Sequence, residues 1–479
     1  MFEIISSIFS PRYPETIVYM LQSTEYRIWP FLRWYWRTNN FNRVAKRRQL
    51  ERTKVTRLLL LILRLGIFLQ IAGGAVVLGL GLNDKFAPGI GWGIGLLISY
   101  PVVWAHLIIF PTILGRWLII VPGERKQIAQ TRDILSKHSG IKIAVAGSYG
   151  KTSMKELLLT VLGAGKDVAA TPANKNVASS HAQFARKLTG KEDVIIIEYG
   201  EGAPGDVNRF SLTTQPNIGV ITGVAPAHLD RYKTIEAAGK DIFSLADYLR
   251  GEHVYVNDES KDAKPFIKPQ YHLYSQKGLD DWNVKDVEIS LEGTSYTLTE
   301  GDKDYRIKSG LLGRHQIGPL TAAVAIAEEL GLTKKQIEAG ISKTTPFEHR
   351  MEPRHLYGAW IVDDTYNGNI EGMRVGLEFL HELKAKRKIY VTPGLVDQGK
   401  EAEKVHWRLG ELIAKSNPDK VVLIRNSAVE FIQAGMRQGG YKGEVVIEID
   451  PLNFYTHLDQ FIAAGDIVLM QNDWTDNYS

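Results

Sequence analysis

The chain contains no cysteine in 479 residues. That absence removes disulfides, thiolate zinc sites and cysteine nucleophiles together, and agrees with a catalytic part in the cytosol. Neither charge is in large excess: 58 Lys and Arg against 53 Asp and Glu leave a net +5, which says little about the fold. The amino terminus lacks the small-residue cleavage pattern of a secretory signal. There is no internal repeat, no low-complexity tract and, in the last third, no glycine-rich dinucleotide fingerprint. What remains is length enough for roughly two to four domains with ample core.

The positive charge is unevenly placed. Arg37, Arg43, Lys46, Arg47, Arg48, Arg52, Lys54 and Arg57 cluster before residue 58. Nucleic acid is one reading of such a cluster, but the following segment offers a better one. Leu58–Leu82 is a nearly continuous apolar run of bilayer length, interrupted by Arg64 and Gln70. Arg64 lies about one turn inside and can snorkel to an interface. After the polar turn Asn83-Asp84-Lys85, Gly89–Gly115 is a second uncharged run with only His106 strongly polar. Two such runs joined by a tight turn predict a transmembrane helical hairpin over 58–121; a buried hairpin of a soluble protein is the other reading. Basic residues flank both outer ends, with Arg116, Arg125 and Lys126 after the second run. The positive-inside rule then puts both ends in the cytoplasm. Residues 1–36 mix charge with Tyr19, Tyr26, Trp29, Trp34, Tyr35 and Trp36. They read as an amphipathic segment dipping into headgroups, or as an ordinary surface helix. The expectation is a multi-pass protein of the cell membrane with cytoplasmic catalytic domains, and with lipids rather than nucleic acid as partner. Residues 1–57 would be its interfacial and basic segment.

From Gly123 the composition turns globular. Ile141–Ser153, IKIAVAGSYGKTS, runs from a β-branched strand through Gly147-Ser148-Tyr149-Gly150 into a helical pattern from Ser153 to Leu162. Strand, glycine loop and helix cradle phosphate, because loop N–H groups and the positive helix end face the anion. Lys151 adds a mobile positive charge, and Thr152 sits where such loops bind Mg²⁺. The spacing is not the common Walker form, since Val145 stands five before Gly150. Gly147, Ser148, Gly150, Lys151, Thr152 and Ser153 are thus the expected nucleotide-binding residues.

Further strands are expected at Asp193–Ile197, ending in Glu198; at Asn217–Thr222, leading to His228; and at Val254–Asn257. Residues 287–308 alternate around Gly293 and Gly301, predicting an antiparallel hairpin, and Gln316–Leu330 predicts a helix. This is a mostly parallel α/β domain over 122–345, whose ligands sit at the carboxyl ends of the strands, where Glu198 and His228 lie. A boundary near Thr345–Arg350 leads to a second α/β unit, 346–479. Its strands are expected at Trp360–Asp363, Lys388–Thr392, Lys420–Ile424, Val445–Ile449 and Asp466–Met470.

Together these segments resemble the Mur ligases. GSYGKTS is similar to that family's GxxGK[ST] loop, Thr171–Asn176 (TPANKN) to TPGNxN, and Ile196–Val207 to EMGxxxxGEI. Ile221–Tyr232 resembles ITNVGPAHLERF, and Arg350–Glu352 and Asp363–Asn369 (DDTYNGN) match elements of the last domain. The likeness covers roughly 140–470 and is greatest to the branch that adds D-alanyl-D-alanine. It implies a P-loop ATPase-like central domain and a Rossmann-like carboxy-terminal domain. The departures are equally specific. The family's UDP-sugar domain is replaced by the hairpin. Pro319 in Gly313–Ala323 takes the place of an asparagine that contacts adenine. Gln471-Asn472-Asp473-Trp474 stands where a KGSR-like segment is expected. Aligning Lys240 with the family's carbamylated lysine needs a deletion of about two residues.

The resemblance implies an ATP- and Mg²⁺-dependent amide ligase working through an acyl phosphate, with catalytic Lys151, His228, Lys240 and Arg350. Thr152 and Glu198 would hold one Mg²⁺, and His228 with Lys240 a second on the acceptor side. Asp363 and Asn367 would contact nucleotide at the interdomain cleft. Bland readings stand beside these: Glu198 as a helix cap, His228 as a packed turn histidine, Lys240 as a solvated helix lysine, Arg350 as an interdomain brace. The expected substrates are a muropeptide acceptor, soluble or lipid-linked, and an amino acid or dipeptide. Competing functions are a polyglutamate-type ligase at the membrane and a catalytically weak nucleotide-binding scaffold.

Overall fold

The computed structural model describes residues 6–24, 26–38, 40–41, 50–83, 86, 88–173, 175–226, 229–366, 368–395, 398 and 401–472, the side chains of 229–230 and 451–453 excepted. His228, Asn367, Arg43, Lys46, Arg47 and Arg48 lie outside the described residues. The chain divides into two compact units, Met1–Lys126 and Gln127–Ser479.

In the first unit, the helix Lys54–Leu82 lies against the helix Gly89–Leu107. Small residues let them touch: a Cβ on Gly81 would fall 2.4 Å from the Ile90 nitrogen, and one on Gly93 2.6 Å from Leu78 Cβ. Gln70 is satisfied across the pair, donating to the Leu96 carbonyl (3.0 Å) and Ser99 Oγ (3.2 Å). The second apolar run does not stop at Gly115, but continues as a π-helical turn Arg116–Ile120 and the helix Val121–Lys137. By length and composition, Lys54–Leu82 and Gly89–Lys137 are long and apolar enough to cross a membrane.

The aromatic segment forms two helices with one packed face. Helices Tyr13–Ser23 and Ile28–Arg37 bury Tyr13, Ile17, Leu21, Phe31 and Tyr35 in one cluster with Leu59, Leu63, Ala105 and Ile108. The Tyr13 hydroxyl donates to the Pro101 carbonyl (2.9 Å). Arg64 Nη2 pairs with Glu15 Oε1 at 2.8 Å. The segment therefore has a packed inner face, while Trp29 and Trp36 stay 79% and 68% exposed.

The second unit holds two sheets. In the first, β1 (Ile141–Ala146), β2 (Val168–Ala170), β3 (Val194–Glu198), β4 (Ile218–Ile221), β5 (Val254–Asn257) and β6 (His272–Ser275) run parallel in the order β6-β5-β4-β1-β3-β2. An antiparallel extension of β7 (Gly278–Leu279), β8 (Trp282–Ser290), β9 (Gly293–Glu300) and β10 (Lys303–Ser309) continues beyond β6. The expected hairpin is thus a meander. Its β8–β9 register shifts between Lys285 and Glu288, where an irregularity interrupts the alternation. Buried on both faces, β3 reads as a continuous apolar run up to Glu198, and β1 does so after Lys142, whose ammonium donates to the His138 and Gly140 carbonyls. Because β1 lies between β3 and β4, the chain leaves it on opposite sides, which opens a crevice at the carboxyl ends.

The second sheet runs β11 (Glu352–Leu356), β12 (Ala359–Asp364), β16 (Asp466–Gln471), β13 (Arg387–Thr392), β14 (Lys420–Ile424), β15 (Glu444–Glu448). Only β11 is antiparallel to its neighbour. It was not expected, since EPRHL carries a proline and charges; both are tolerated because β11 is an edge strand.

Candidate active site

The loop after β1 is built by two close approaches. Gly147 adopts φ +142°, and a Cβ there would lie 2.2 Å from Thr222 Oγ1 at the end of β4. Thr222 in turn donates to the carbonyls of Ala146 (3.2 Å) and Tyr149, while the Ser148 N–H donates to the Gly223 carbonyl (2.9 Å). Gly150, in left-handed conformation (φ +71°), caps the helix Lys151–Leu162, and no side chain closes that helix end. The helix opens two residues earlier than its pattern suggested, so Lys151, Thr152 and Ser153 form its first turn. Its N–H groups face a space that suits an anion. Ser148 Oγ is buried there without a hydrogen-bond partner.

Lys151 is engaged: Nζ donates to the Gly147 carbonyl and pairs with Glu201 Oε2 at 2.7 Å. Glu201 is 5% exposed. The lysine's charge is therefore held in place over the loop by a carboxylate. Sequence reasoning passed over Glu201, which lies three residues beyond Glu198 after the end of β3.

Glu198 ends β3 and is 1% exposed. Its N–H donates to Thr171 Oγ1 (3.0 Å), and its carbonyl accepts from His181 Nε2 (2.8 Å). A carbonyl can only accept, so His181 carries its proton on Nε2. Burial lowers the His181 pKa to about 4, keeping the ring neutral. Oε1 of Glu198 accepts from Thr152 Oγ1 and Asn176 Nδ2, each at 3.2 Å. Among the described residues Oε2 is buried with no hydrogen-bond partner. The Thr152 hydroxyl and the Glu198 carboxylate, with one oxygen orphaned, offer oxygen ligands that fit a hard dication such as Mg²⁺. Thr152 and Glu198 are thus brought together as expected, and Asn176, from the TPANKN segment, joins them.

Lys240 lies on the surface. It sits on the helix Ile235–Tyr248, its side chain 68% exposed, paired with Glu236 one turn away at 2.7 Å. Among the described residues it shares no hydrogen bond or ion pair with the phosphate loop or Glu198. Its neighbour Asp241 faces inward instead, accepting from the Gly205 N–H (2.9 Å) and the Tyr232 hydroxyl (2.7 Å). The helix phase that turns Asp241 in turns Lys240 out.

The second domain's strand ends are differently furnished. Arg350 lies between two residues of positive φ, His349 (+57°) and Met351 (+47°), and its guanidinium stacks over Tyr366 at 4.5 Å. Asp363, expected to contact nucleotide, spends its oxygens on His349 Nδ1 (2.8 Å) and on Thr365 Oγ1 (2.7 Å). His349, Glu352 and Asp363 form a compact donor group, but Arg354 already neutralises it, 2.8 Å from Glu352 and 3.6 Å from Asp363. Asp364 accepts from Gln471 Nε2 (2.7 Å) and the Met351 N–H (3.2 Å). Gln471 and Asn472, in place of the KGSR-like segment, act as staples: Gln471 also donates to the Gly372 carbonyl (3.1 Å) and accepts from the Tyr390 hydroxyl (3.1 Å).

Between the domains, a cavity of about 200 Å³ is lined by Gln276, Arg314, His315, Arg374, Glu378 and Lys415 among others. Arg314 Nε bridges to Glu382 Oε1 at 2.8 Å, tying the central domain to the last. Burial lowers the His315 pKa to about 4, so its ring is neutral. Pro319 falls in the first turn of the helix Ile317–Glu329, where an N–H has no intrahelical partner to lose.

Residues 145–327 match the Mur ligase middle domain, and residues 349–471 the glutamate ligase domain of the Mur ligases. The UDP-N-acetylmuramoyl-tripeptide–D-alanyl-D-alanine ligase of Mycobacterium leprae is 26% identical over 362 residues, 69% of this chain and 70% of that protein. Its counterpart in Mycobacterium bovis is 27% identical over 296 residues, 59% of this chain and 58% of that protein. The chain thus spans between 58% and 70% of the length of these relatives. The MurF ligase of Thermotoga maritima, solved in complex with ADP, shares the fold at 22% identity and a TM-score of 0.64, over 73% of this chain and 80% of that one. With both family domains in sequence over the two sheets, the chain belongs to the Mur ligases, the ATP-dependent ligases that form carbon–nitrogen bonds.

Proposed function

We propose that this protein is a membrane-anchored, ATP-dependent amide ligase of peptidoglycan-precursor synthesis, joining D-alanyl-D-alanine or another amino acid or dipeptide to a muropeptide carboxylate. The observation that carries this is the conjunction of Lys151, Thr152 and Glu198 at the strand ends beside a helix terminus that no side chain caps. Relatives named as D-alanyl-D-alanine ligases support the substrate class. The γ-phosphate would pass to the carboxylate oxygen, giving an acyl phosphate and ADP; the amine then attacks the acyl carbon and phosphate leaves. Lys151 would turn from Glu201 to the transferring phosphate, and helix N–H groups would hold its oxygens. Thr152 and Glu198 would hold Mg²⁺, which supplies positive charge to the phosphate oxygens. Arg350, unpaired with any carboxylate among the described residues, would reach phosphate from the second domain. His228 would serve the acceptor side, and Asp363 and Asn367 the nucleotide. Lys240, as it lies, has no part in this.

Domain boundaries near 57, 121 and 345 belong to the same reading, as does a multi-pass hairpin with the catalytic domains in the cytoplasm. A hairpin of two apolar helices immediately before the middle domain gains nothing for a soluble acceptor. It raises the effective concentration of one confined to the membrane. The acceptor is accordingly a lipid-linked muropeptide. The test is ligation in liposomes, with a polyprenyl-linked acceptor against its UDP-linked counterpart. Preference for the lipid form, lost when residues 1–121 are deleted, is the expected result. Undiminished preference for the UDP form would leave the hairpin a mere anchor, and no ATP turnover with any acceptor would favour the scaffold.

A further inference from the structure

Lys155 has no role in the reaction as drawn above. It lies one turn below Lys151 on the same face of the helix Lys151–Leu162. Its side chain is 0% exposed, so it cannot touch a nucleotide or an acceptor. Nζ donates to the carbonyls of Thr171 (2.8 Å) and Ala173, pairs with Glu156 Oε1 at 2.9 Å, and lies 3.7 Å from Glu198 Oε2. An ammonium has three N–H donors, and the three nearer acceptors use them all. Glu198 Oε2 therefore receives the field of the charge without a hydrogen bond from it. This is the same oxygen that has no donor elsewhere.

The connections converge on one side chain. Thr171, whose carbonyl Lys155 holds, also accepts from the Glu198 N–H. Asn176, five residues on, reaches Glu198 Oε1. Lys155 thus fixes the segment that frames Glu198 and supplies the buried positive charge that its carboxylate needs. A residue serving only to tie down the 171–173 backbone would need donors alone. It would not need a full charge beside a carboxylate with one vacant oxygen.

We propose that Lys155 is a positioning residue for the metal–nucleotide site, holding the Glu198 carboxylate inward with one oxygen kept open for a divalent cation. This rests on the ligase reading of Thr152 and Glu198. Partners of a ligating carboxylate typically govern metal affinity by about 10- to 100-fold. The readout is binding of a fluorescent ADP analogue to the full chain in detergent, titrated with Mg²⁺ and repeated in chelator. Lys155→Met should raise the half-saturating Mg²⁺ concentration by about 10- to 100-fold while leaving metal-free binding within about twofold of wild type. Glu198→Gln should reproduce the loss, and the two changes together should add nothing beyond either.

Equal weakening with and without metal, or additive losses in the double variant, would reduce Lys155 to a backbone prop. Where Lys155→Met alone does not fold, the combination with Glu198→Gln decides. Removing the stranded carboxylate charge should restore folding, and a double variant that stays unfolded overturns the proposal. A wild-type chain that binds no nucleotide at any Mg²⁺ concentration would instead overturn the ligase reading, and this inference with it.

Discussion

The two sheets of the catalytic unit end in similar places and opposite states. At the carboxyl ends of β1 and β3, polar groups are left incomplete: among the described residues Ser148 Oγ and Glu198 Oε2 have no hydrogen-bond partner, and no side chain caps the helix after the loop. At the ends of β12 and β16, polar groups are consumed by one another. Asp363 is taken by His349 and Thr365, Asp364 by Gln471 and Met351, and Gln471 by Tyr390 and Gly372 as well. Buried polar groups left unpaired are costly, so a fold keeps them where a ligand will complete them. The same strand-end architecture is therefore left open in the first domain and already cross-linked in the second, where Asp363 would have to exchange a partner to meet a nucleotide. Where the family resemblance led to a KGSR-like segment, this chain has spent the position on a hydrogen-bonded staple.

The contrast breaks hardest at Lys151. Lys151→Ala removes the cation over the loop and leaves Glu201, at 5% exposure, facing any incoming phosphate with its charge uncompensated. Loss of one such charge-stabilising group costs on the order of 10²-fold or more in turnover. ATP turnover should fall by at least that amount while circular dichroism and melting stay close to wild type. Turnover near normal in the folded variant would mean that the incomplete strand ends are not the phosphate site.

Much of this was legible in the chain. Val254–Asn257 and Lys420–Ile424 fall where β-branched runs place them, and the break from β1 to glycine loop to helix is local chemistry. Glu198 could be placed at a strand end from its own run. Lys155 could not, because a lysine inside a helix is ordinarily solvated and nothing local reveals that Thr171 and Ala173 will meet it. Glu201 was hidden for the same reason: its partner comes from another strand's loop. The edge strand β11 was lost because edge position, which licenses proline and charge, is a property of the sheet and not of EPRHL. Residues 1–36 read by composition as an amphipathic segment, and Tyr13, Phe31 and Tyr35 pack inward on protein. Composition cannot tell an apolar face that meets lipid from one that meets a helix.

A second break tests the closed strand ends. Burial raises the Asp364 pKa to about 6, from an ordinary 3.8. A carboxyl whose folded pKa lies above its unfolded value binds its proton more tightly in the native state. Between about pH 4 and pH 6 the folded protein holds the proton and the unfolded chain does not, so stability falls as pH rises through that window. The penalty levels off once the pH is above the folded pKa of about 6 and is on the order of 3 kcal/mol. Asp364→Asn stays neutral throughout. The difference in melting temperature between wild type and Asp364→Asn should therefore shift in favour of wild type on going from pH 7 to pH 4. A difference independent of pH would show that the network at β12 and β16 holds an ordinary ionised carboxylate.

The smallest effect is expected at Lys240, and it sharpens the comparison by its size. The resemblance implies a modified lysine whose carbamate oxygens hold a metal, and such a group would belong with the incomplete strand ends. In the fold it belongs with neither set. It is a surface lysine paired with Glu236 at 2.7 Å, both side chains more than two-thirds exposed. Pairs of that kind contribute little, because solvent screens them and two long side chains lose freedom in making them. Lys240→Ala should leave ligation within about twofold of wild type. Adding short carboxylic acids, which would stand in for missing carbamate oxygens, should change nothing. A loss on the order of 10²-fold in the alanine variant, partly restored by acetate or formate, would mean that the helix Ile235–Tyr248 turns Lys240 inward during the reaction. The second cation site would then be assembled by ligand binding, and the distinction between prepared and closed strand ends would hold only for the first metal.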